Sequence, residues 1–349
     1  MIKLNNEDII DLIRIYNIPS ESGNTKAMRK YIRKILFESK IKCKKDKAGN
    51  VYATKGEADS YPCIACHTDE VHTNRGKYNA VASKFNGVIY GWSHTHRDFC
   101  GIGGDDKNGI FIALYMLKHL DYCKAVFFAD EEIGCVGSSK ADISFFSDCR
   151  YIIECDRRGN SDLITNISGQ ICSDEFINAI KPYTDAYSYQ ETSGLMTDVD
   201  ELHDKGVGIS CINLSCGYHR PHTQFEYTII EDLEVCMNLV YTICSNVTQT
   251  YPHTKSYTYK YHYDRFDNWY NYLQDKDISK DIAKSIKGFI MGTEIDEVSY
   301  DDLIVLVEQE LLAQGVIDYR NTDDYYLFND TFDMVYEEML IDKINNHES

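Results

Sequence analysis

Residues 125–134 read Ala125-Val126-Phe127-Phe128-Ala129-Asp130-Glu131-Glu132-Ile133-Gly134. An unbroken apolar run of this length, bounded by turn residues, is the pattern of a strand covered on both faces. It runs straight into three acids. Like charges this close raise one another's pKa unless cations compensate. Two bound metal ions would compensate, and adjacent side chains would then divide the work: one ligates, the other takes a proton from bound water. Acids on the surface are common, but three at the end of a buried strand call for a reason.

The same pattern recurs on either side. Ile64-Ala65-Cys66 leads into His67-Thr68-Asp69-Glu70, and Ile152-Ile153 leads into Glu154-Cys155-Asp156-Arg157. Further strands are expected at 41–45 and 50–55 (a pair), 62–65, 87–92, 151–154 and 208–214. Helical spacing of apolar residues marks 5–15, 25–37, 106–120 and 230–248, with helix starts at 136–142 and 173–182 and a cap at Asn24 or Thr25 for the second helix. Strands alternating with helices predict an α/β fold with a mostly parallel central sheet and helices on both faces. Ligands in such folds gather at the carboxyl ends of strands, where these polar clusters lie.

Composition narrows the function. Of 349 residues, 43% are apolar and 26% charged, which argues against global disorder. A formal charge of −19 repels nucleic-acid phosphates, and the lysine cluster Lys40, Lys42, Lys44, Lys45 and Lys47 is short and interrupted by Asp46. No apolar run is long enough to cross a bilayer, and the early acids Glu7 and Asp8 do not read as a secretion signal. The 13 scattered cysteines fit free thiols in a reducing compartment, hence a cytoplasmic expectation. Cys63 and Cys66 form the one C-x-x-C, which reads as part of a buried strand rather than a metal pair.

A boundary is expected near residue 250, giving a catalytic domain over 1–250 and a C-terminal region over 251–349. That region carries 21 acidic and 9 basic residues and 12 of the 27 tyrosines. Mainly helical stretches are expected at 277–290 and 299–313. The acidic, aromatic surface either docks a partner or covers the catalytic domain.

Two more clusters complete the pattern. Gly103-Gly104-Asp105-Asp106-Lys107-Asn108-Gly109 places acids at a helix start. There they either cap the helix or, for Asp105, bridge two metals. In Gly217-Tyr218-His219-Arg220-Pro221-His222, both histidines are candidate ligands. Two histidines with several carboxylates make a borderline nitrogen/oxygen donor set, which favours zinc over cobalt or manganese. His72, His94, His96 and His203 are candidate pocket residues with ordinary structural readings. Asp198 reads as a structural acid.

The order His-x-Asp, Gly-Asp-Asp-Lys-x-Gly, Asp-Glu-Glu-x-Gly, Asp, His resembles the co-catalytic zinc metallopeptidase superfamily. That group includes tripeptidase T, carboxypeptidase G-type enzymes and the glutamyl and leucyl aminopeptidases. The similarity spans about residues 5–248. It implies two divalent ions held by His67, Asp105, Glu132, Asp156 and His222, with Asp105 bridging them. It further implies Glu131 as general base and Asp69 as the residue that orients His67. His222 is preferred to His219 because Thr223 and Glu226 follow it in the family pattern. The spacings from His67 to Asp105 and from Asp156 to His222 leave no room for the family's larger inserted domains, so a lidless variant is expected. The resemblance implies an aminopeptidase or di/tripeptidase acting on short peptides. A non-peptide amidohydrolase, deacylase or carboxypeptidase is the alternative, and a non-catalytic binding protein on a hydrolase core a third.

Overall fold

The computed structural model describes residues 2–82, 87–255 and Val307. The chain divides into two units, Met1–Tyr257 and Thr258–Ser349. Apart from Val307, the helices expected at 277–290 and 299–313 lie outside the described residues.

Within the first unit, eight strands form the large sheet: β1 (Lys42–Lys45), β2 (Val51–Lys55), β3 (Tyr61–His67), β7 (Cys123–Phe128), β8 (Cys149–Arg157), β9 (Asp162–Asn166), β10 (Gln190–Ser193) and β11 (Cys211–Ser215). Their spatial order is β1-β2-β7-β3-β8-β11-β9-β10. The central four, β7, β3, β8 and β11, run parallel. Antiparallel pairs flank them at β1–β2, β2–β7 and β9–β11. Both β3 and β7 are buried along their whole length, and β7 also buries Lys124, whose Nζ donates to the Phe145 carbonyl at 2.7 Å.

Alternation of side chains along these strands builds two cores. Ile64, Cys66, Ala125, Phe127, Ile153 and Ile212 face one side. There they meet α1 (Asn6–Tyr16), α2 (Lys26–Glu38), α3 (Gly104–His119), α4 (Asp174–Ala186) and α6 (Ile230–Asn246). Cys63, Ala65, Val126, Phe128, Ile152 and Cys211 face the other, against Phe145, Phe146 and the short α5 (Asp198–Asp204). Cys63 and Cys66, three apart on a strand, therefore point to opposite faces and cannot share a metal. All thirteen cysteines are free and only Cys43 is exposed.

Several local expectations need correction. The 136–142 segment forms one 3-10 turn, Ser138–Lys140, followed by a second at Ile143–Phe146, rather than a helix. Helix α4 continues through Pro182 to Ala186. Pro182 and Asn178 lie on its exposed face, so the carbonyl that loses its partner faces solvent. Its N-cap is Ser173, whose side chain accepts from Phe176 N at 3.2 Å. Thr25 precedes α2 without a side-chain cap.

A second, antiparallel sheet was expected only in its strand at 87–92, which forms as β5 (Val88–Ser93). The sheet joins β4 (Tyr78–Ala82), β5, β6 (Asp98–Cys100), β12 (Tyr218–His219) and β13 (Tyr227–Ile229). Its strands are short, and the β13–β5 pairing joins segments far apart in sequence. No helix among the described residues is long and apolar enough to cross a membrane.

Candidate metal centre

The carboxyl ends of β3, β7 and β8 bring the sequence-predicted residues together. His67 is the last residue of β3 and is buried. Its Nε2 lies 3.0 Å from Asp105 Oδ1 and 3.7 Å from Asp156 Oδ1. Its Nδ1 faces Asp69 Oδ1 at 3.3 Å, out of hydrogen-bond alignment. Asp69 is held in turn: Oδ1 accepts from Glu131 N (2.9 Å), and Oδ2 accepts from Glu132 N (3.2 Å) and Ser22 Oγ (2.8 Å). One carboxylate thus ties the His67 strand end to the Glu131-Glu132 turn.

Asp105 sits at the start of α3, after Gly103 in a left-handed conformation (φ 66°) and before a cis peptide bond to Asp106. A side chain at 103 would place its Cβ 2.2 Å from Glu70 Oε2, so only glycine lets the turn close. Asp106 takes the capping role: Oδ1 accepts from Gly109 N (2.9 Å) and Oδ2 from His67 N (3.1 Å). Asp105 is left to face the two imidazoles of His67 and His222. Its Oδ1 meets His67, and its Oδ2 lies 3.4 Å from His222 Nε2.

His222 Nε2 also lies 3.1 Å from Glu132 Oε2. His219 points elsewhere, with Nε2 2.9 Å from Asp232 Oδ2 and its ring stacked on Tyr227. Asp156 accepts from the Tyr218 hydroxyl at 3.2 Å, and its backbone N–H donates to Asn213 Oδ1 at 2.9 Å. Glu131 receives the Cys135 thiol at 3.6 Å. Donor atoms of His67, Asp105 and Glu132 lie within 4.8 Å of one another, as do those of His67, Glu131 and Asp156.

Electrostatics sets this cluster apart. Burial and the neighbouring Asp156, Asp198 and Glu132 push the Glu131 carboxyl well above its usual range. Burial and Asp105 push Asp156 up to about 6. Burial opposes charge on both imidazoles. Asp156, Asp105 and Asp69 nonetheless raise His67 well above the ordinary histidine value, and Glu132 with Asp105 does the same for His222. The acids outnumber the protein's own cations here. Buried oxygens of Glu132, Glu154 and Asp198, with His67 Nδ1 and His222 Nε2, have no hydrogen-bond partner. Orphaned buried ligand atoms of this kind suit a divalent cation. The residues present fit such a cation: the two groups of donor atoms overlap at His67.

The sequence reading passed over Glu154. It is fully buried two residues before Asp156, accepts from Thr197 Oγ1 at 2.8 Å, and is pushed well up by burial and by Asp156. Its strand-end position was the available signal. Asp198 is likewise fully buried and pushed up to about 7, by burial first. Ser22 had no sequence signal, because its contact with Asp69 exists only in the fold. His94 bonds Asn79 and His96 bonds the Asn74 carbonyl on the exposed hairpin (3.0 and 2.9 Å), and neither is among the grouped donors.

No protein-family model and no curated protein matches the sequence. Solved structures do match in shape. An aminopeptidase PepT from Bacillus cereus superposes with TM-score 0.59 at 13% identity, covering 70% of this chain and 99% of that one. A tripeptidase from Staphylococcus aureus gives 0.56 at 12% identity, covering 69% and 99%. The TET1 peptidase of Pyrococcus horikoshii, which assembles into a tetrahedron or a large octahedral shell, gives 0.52 at 15% identity, covering 68% and 99%. The chain therefore shares the mixed α/β fold of these aminopeptidase and tripeptidase structures.

Proposed function

We propose that this protein is a metal-dependent exopeptidase, an aminopeptidase or di/tripeptidase, that holds two divalent ions in the cleft at the strand ends. The observation that carries this reading is Asp105. The two oxygens of one carboxylate face two different imidazoles, His67 at 3.0 Å and His222 at 3.4 Å. Buried acids beyond what the protein's cations balance surround them. The fold shared with aminopeptidases and tripeptidases supports the same class.

In this reading His67, Asp105, Glu132, Asp156 and His222 hold the ions. The nitrogen and oxygen donors favour zinc, with cobalt or manganese as substitutes. Bound there, two such ions would supply Lewis acidity and lower the pKa of a water. Glu131 accepts that water's proton and delivers it to the leaving amine. Asp69 holds the Glu131-Glu132 turn through two backbone N–H groups while facing the His67 ring. Thirteen unpaired thiols suit a reducing compartment, which supports a cytoplasmic location.

The test is cleavage of short peptides with free and with acetylated N-termini by zinc- or cobalt-loaded protein, read by mass. Removal of the N-terminal residue from the free peptides alone is expected, and a chelator should abolish it. Cleavage of the acetylated series would redirect the assignment to a carboxypeptidase or deacylase. No cleavage of either, with two ions bound, would sink the peptidase reading.

A further inference from the structure

Three loops that carry this site meet at a carboxylate outside the ligand set. Glu226 follows His222 by four residues and is buried. Its Oε1 accepts the Asp105 backbone N–H at 3.1 Å. Its Oε2 accepts the Gly103 N–H at 2.6 Å and the His72 ring at Nε2, 2.7 Å away. His72 lies five residues beyond His67 and packs flat against Gly101, where a Cβ would come within 2.0 Å of its Cε1. Since an ionised carboxylate only accepts, the His72 Nε2 carries the hydrogen in this pair.

We infer that Glu226 and His72 form a positioning pair that sets the Asp105 carboxylate between His67 and His222. The inference rests on the two-ion reading above. Both backbone donors flank the turn from which Asp105 projects, so the turn's placement depends on what accepts them. Charge-assisted bonds are the stronger kind and hold such a turn well. A glutamine at 226 would have to turn its NH2 toward one of these donors, forfeiting a bond and pushing the turn away. His72 keeps Glu226 from rotating off the turn and couples it to the loop after His67. Glu226 touches neither substrate nor ion in this account and acts through Asp105.

The experiment compares E226Q, H72A and H72Q with the wild type. Zinc affinity is measured by competition with a chromophoric chelator, the visible spectrum of the cobalt-substituted protein is recorded, and folding is checked by thermal melting. E226Q is expected to bind zinc about 10- to 100-fold more weakly, as the loss of groups that orient metal ligands generally does, with an altered cobalt spectrum. H72A should shift both in the same direction by less, and H72Q, which restores an N–H donor, should recover most of the loss. A folded E226Q with wild-type affinity and spectrum overturns the inference. If E226Q does not fold, the H72A and H72Q pair decides: no change in H72A, or no recovery in H72Q, overturns it as well. A wild-type protein that binds fewer than two ions removes the two-ion reading itself. Two tightly bound ions that the variants leave untouched remove only the positioning role.

Discussion

Two buried polar clusters lie one residue apart in sequence, and they solve the problem of burying charge in opposite ways. Around Glu70, the protein brings its own cations. Glu70 Oε1 lies 2.8 Å from Lys107 Nζ and 2.5 Å from Arg75 Nη2, and also accepts from Ser20 N at 2.9 Å. Burial works against its charge, but Lys107 and Arg75 prevail and hold the carboxyl below its usual range. Around Asp69, Asp105, Glu131, Glu132 and Asp156, the ion pairs among the described residues are with His67 and His222, and carboxyls such as Glu131 and Asp156 are pushed up instead. The same chain neutralises one buried acid with its own side chains and leaves its neighbours to two histidines. The difference points to cations that come from outside.

The largest test of this contrast is chemical. Glu131→Gln removes the group assigned to proton transfer while leaving the ligands in place. Turnover of the favoured peptide is expected to fall about 10²- to 10⁴-fold, with zinc content unchanged by metal analysis. Full activity in the metal-loaded variant would end the assignment.

Next comes the cluster that supplies its own cations. Lys107→Met removes one of the two cations on Glu70. A loss of about 3 kcal/mol in urea unfolding is expected, because a buried carboxylate is left partly uncompensated. The loss should be equal with excess zinc and with chelator. If zinc restores the variant to wild-type stability, the two clusters act as one and the contrast breaks.

His203 supplies a comparison of imidazoles. His67 and His222 are raised by acids, whereas burial pushes His203 down to about 4, with His253 and Lys255 adding to the effect. Its Nε2 donates to the Ile171 carbonyl at 2.7 Å. The folded state therefore resists protonation that the unfolded chain accepts near 6.5. This contribution is complete above about 6.5 and is lost as pH falls from there to about 4. It amounts to no more than ~3 kcal/mol, and His203→Gln should flatten that part of the stability profile. An unchanged slope in the variant would assign the acid sensitivity elsewhere.

The unbroken apolar runs 125–129 and 62–66 marked β7 and β3, because strands covered on both faces have no polar side to show. The acids at the ends of those runs marked the site for a related reason: charge next to a buried strand end needs compensation. That pattern singled out Asp69, Glu131, Glu132 and Asp156 as candidates, whereas Asp105 stood at a glycine-flanked helix start and the ligand roles of His67, Asp105 and His222 came from the family resemblance. Of the second sheet only the strand at 87–92 was legible, since strands as short as Tyr218–His219 carry no usable period and are fixed by partners far along the chain. The same holds for α5, whose seven residues span two turns.

By itself, the sequence determined the α/β alternation, the central strands and the identity of the acid and histidine clusters, because periodicity and local charge are written in consecutive residues. Only the tertiary structure decided which members of those clusters meet. It turned Asp105 toward two imidazoles while Asp106 capped α3, drew His219 away to Asp232, and brought Ser22 to Asp69 and Glu226 to the Asp105 turn. These choices are made by contacts between segments distant in sequence, and such contacts exist only once the sheet has been assembled.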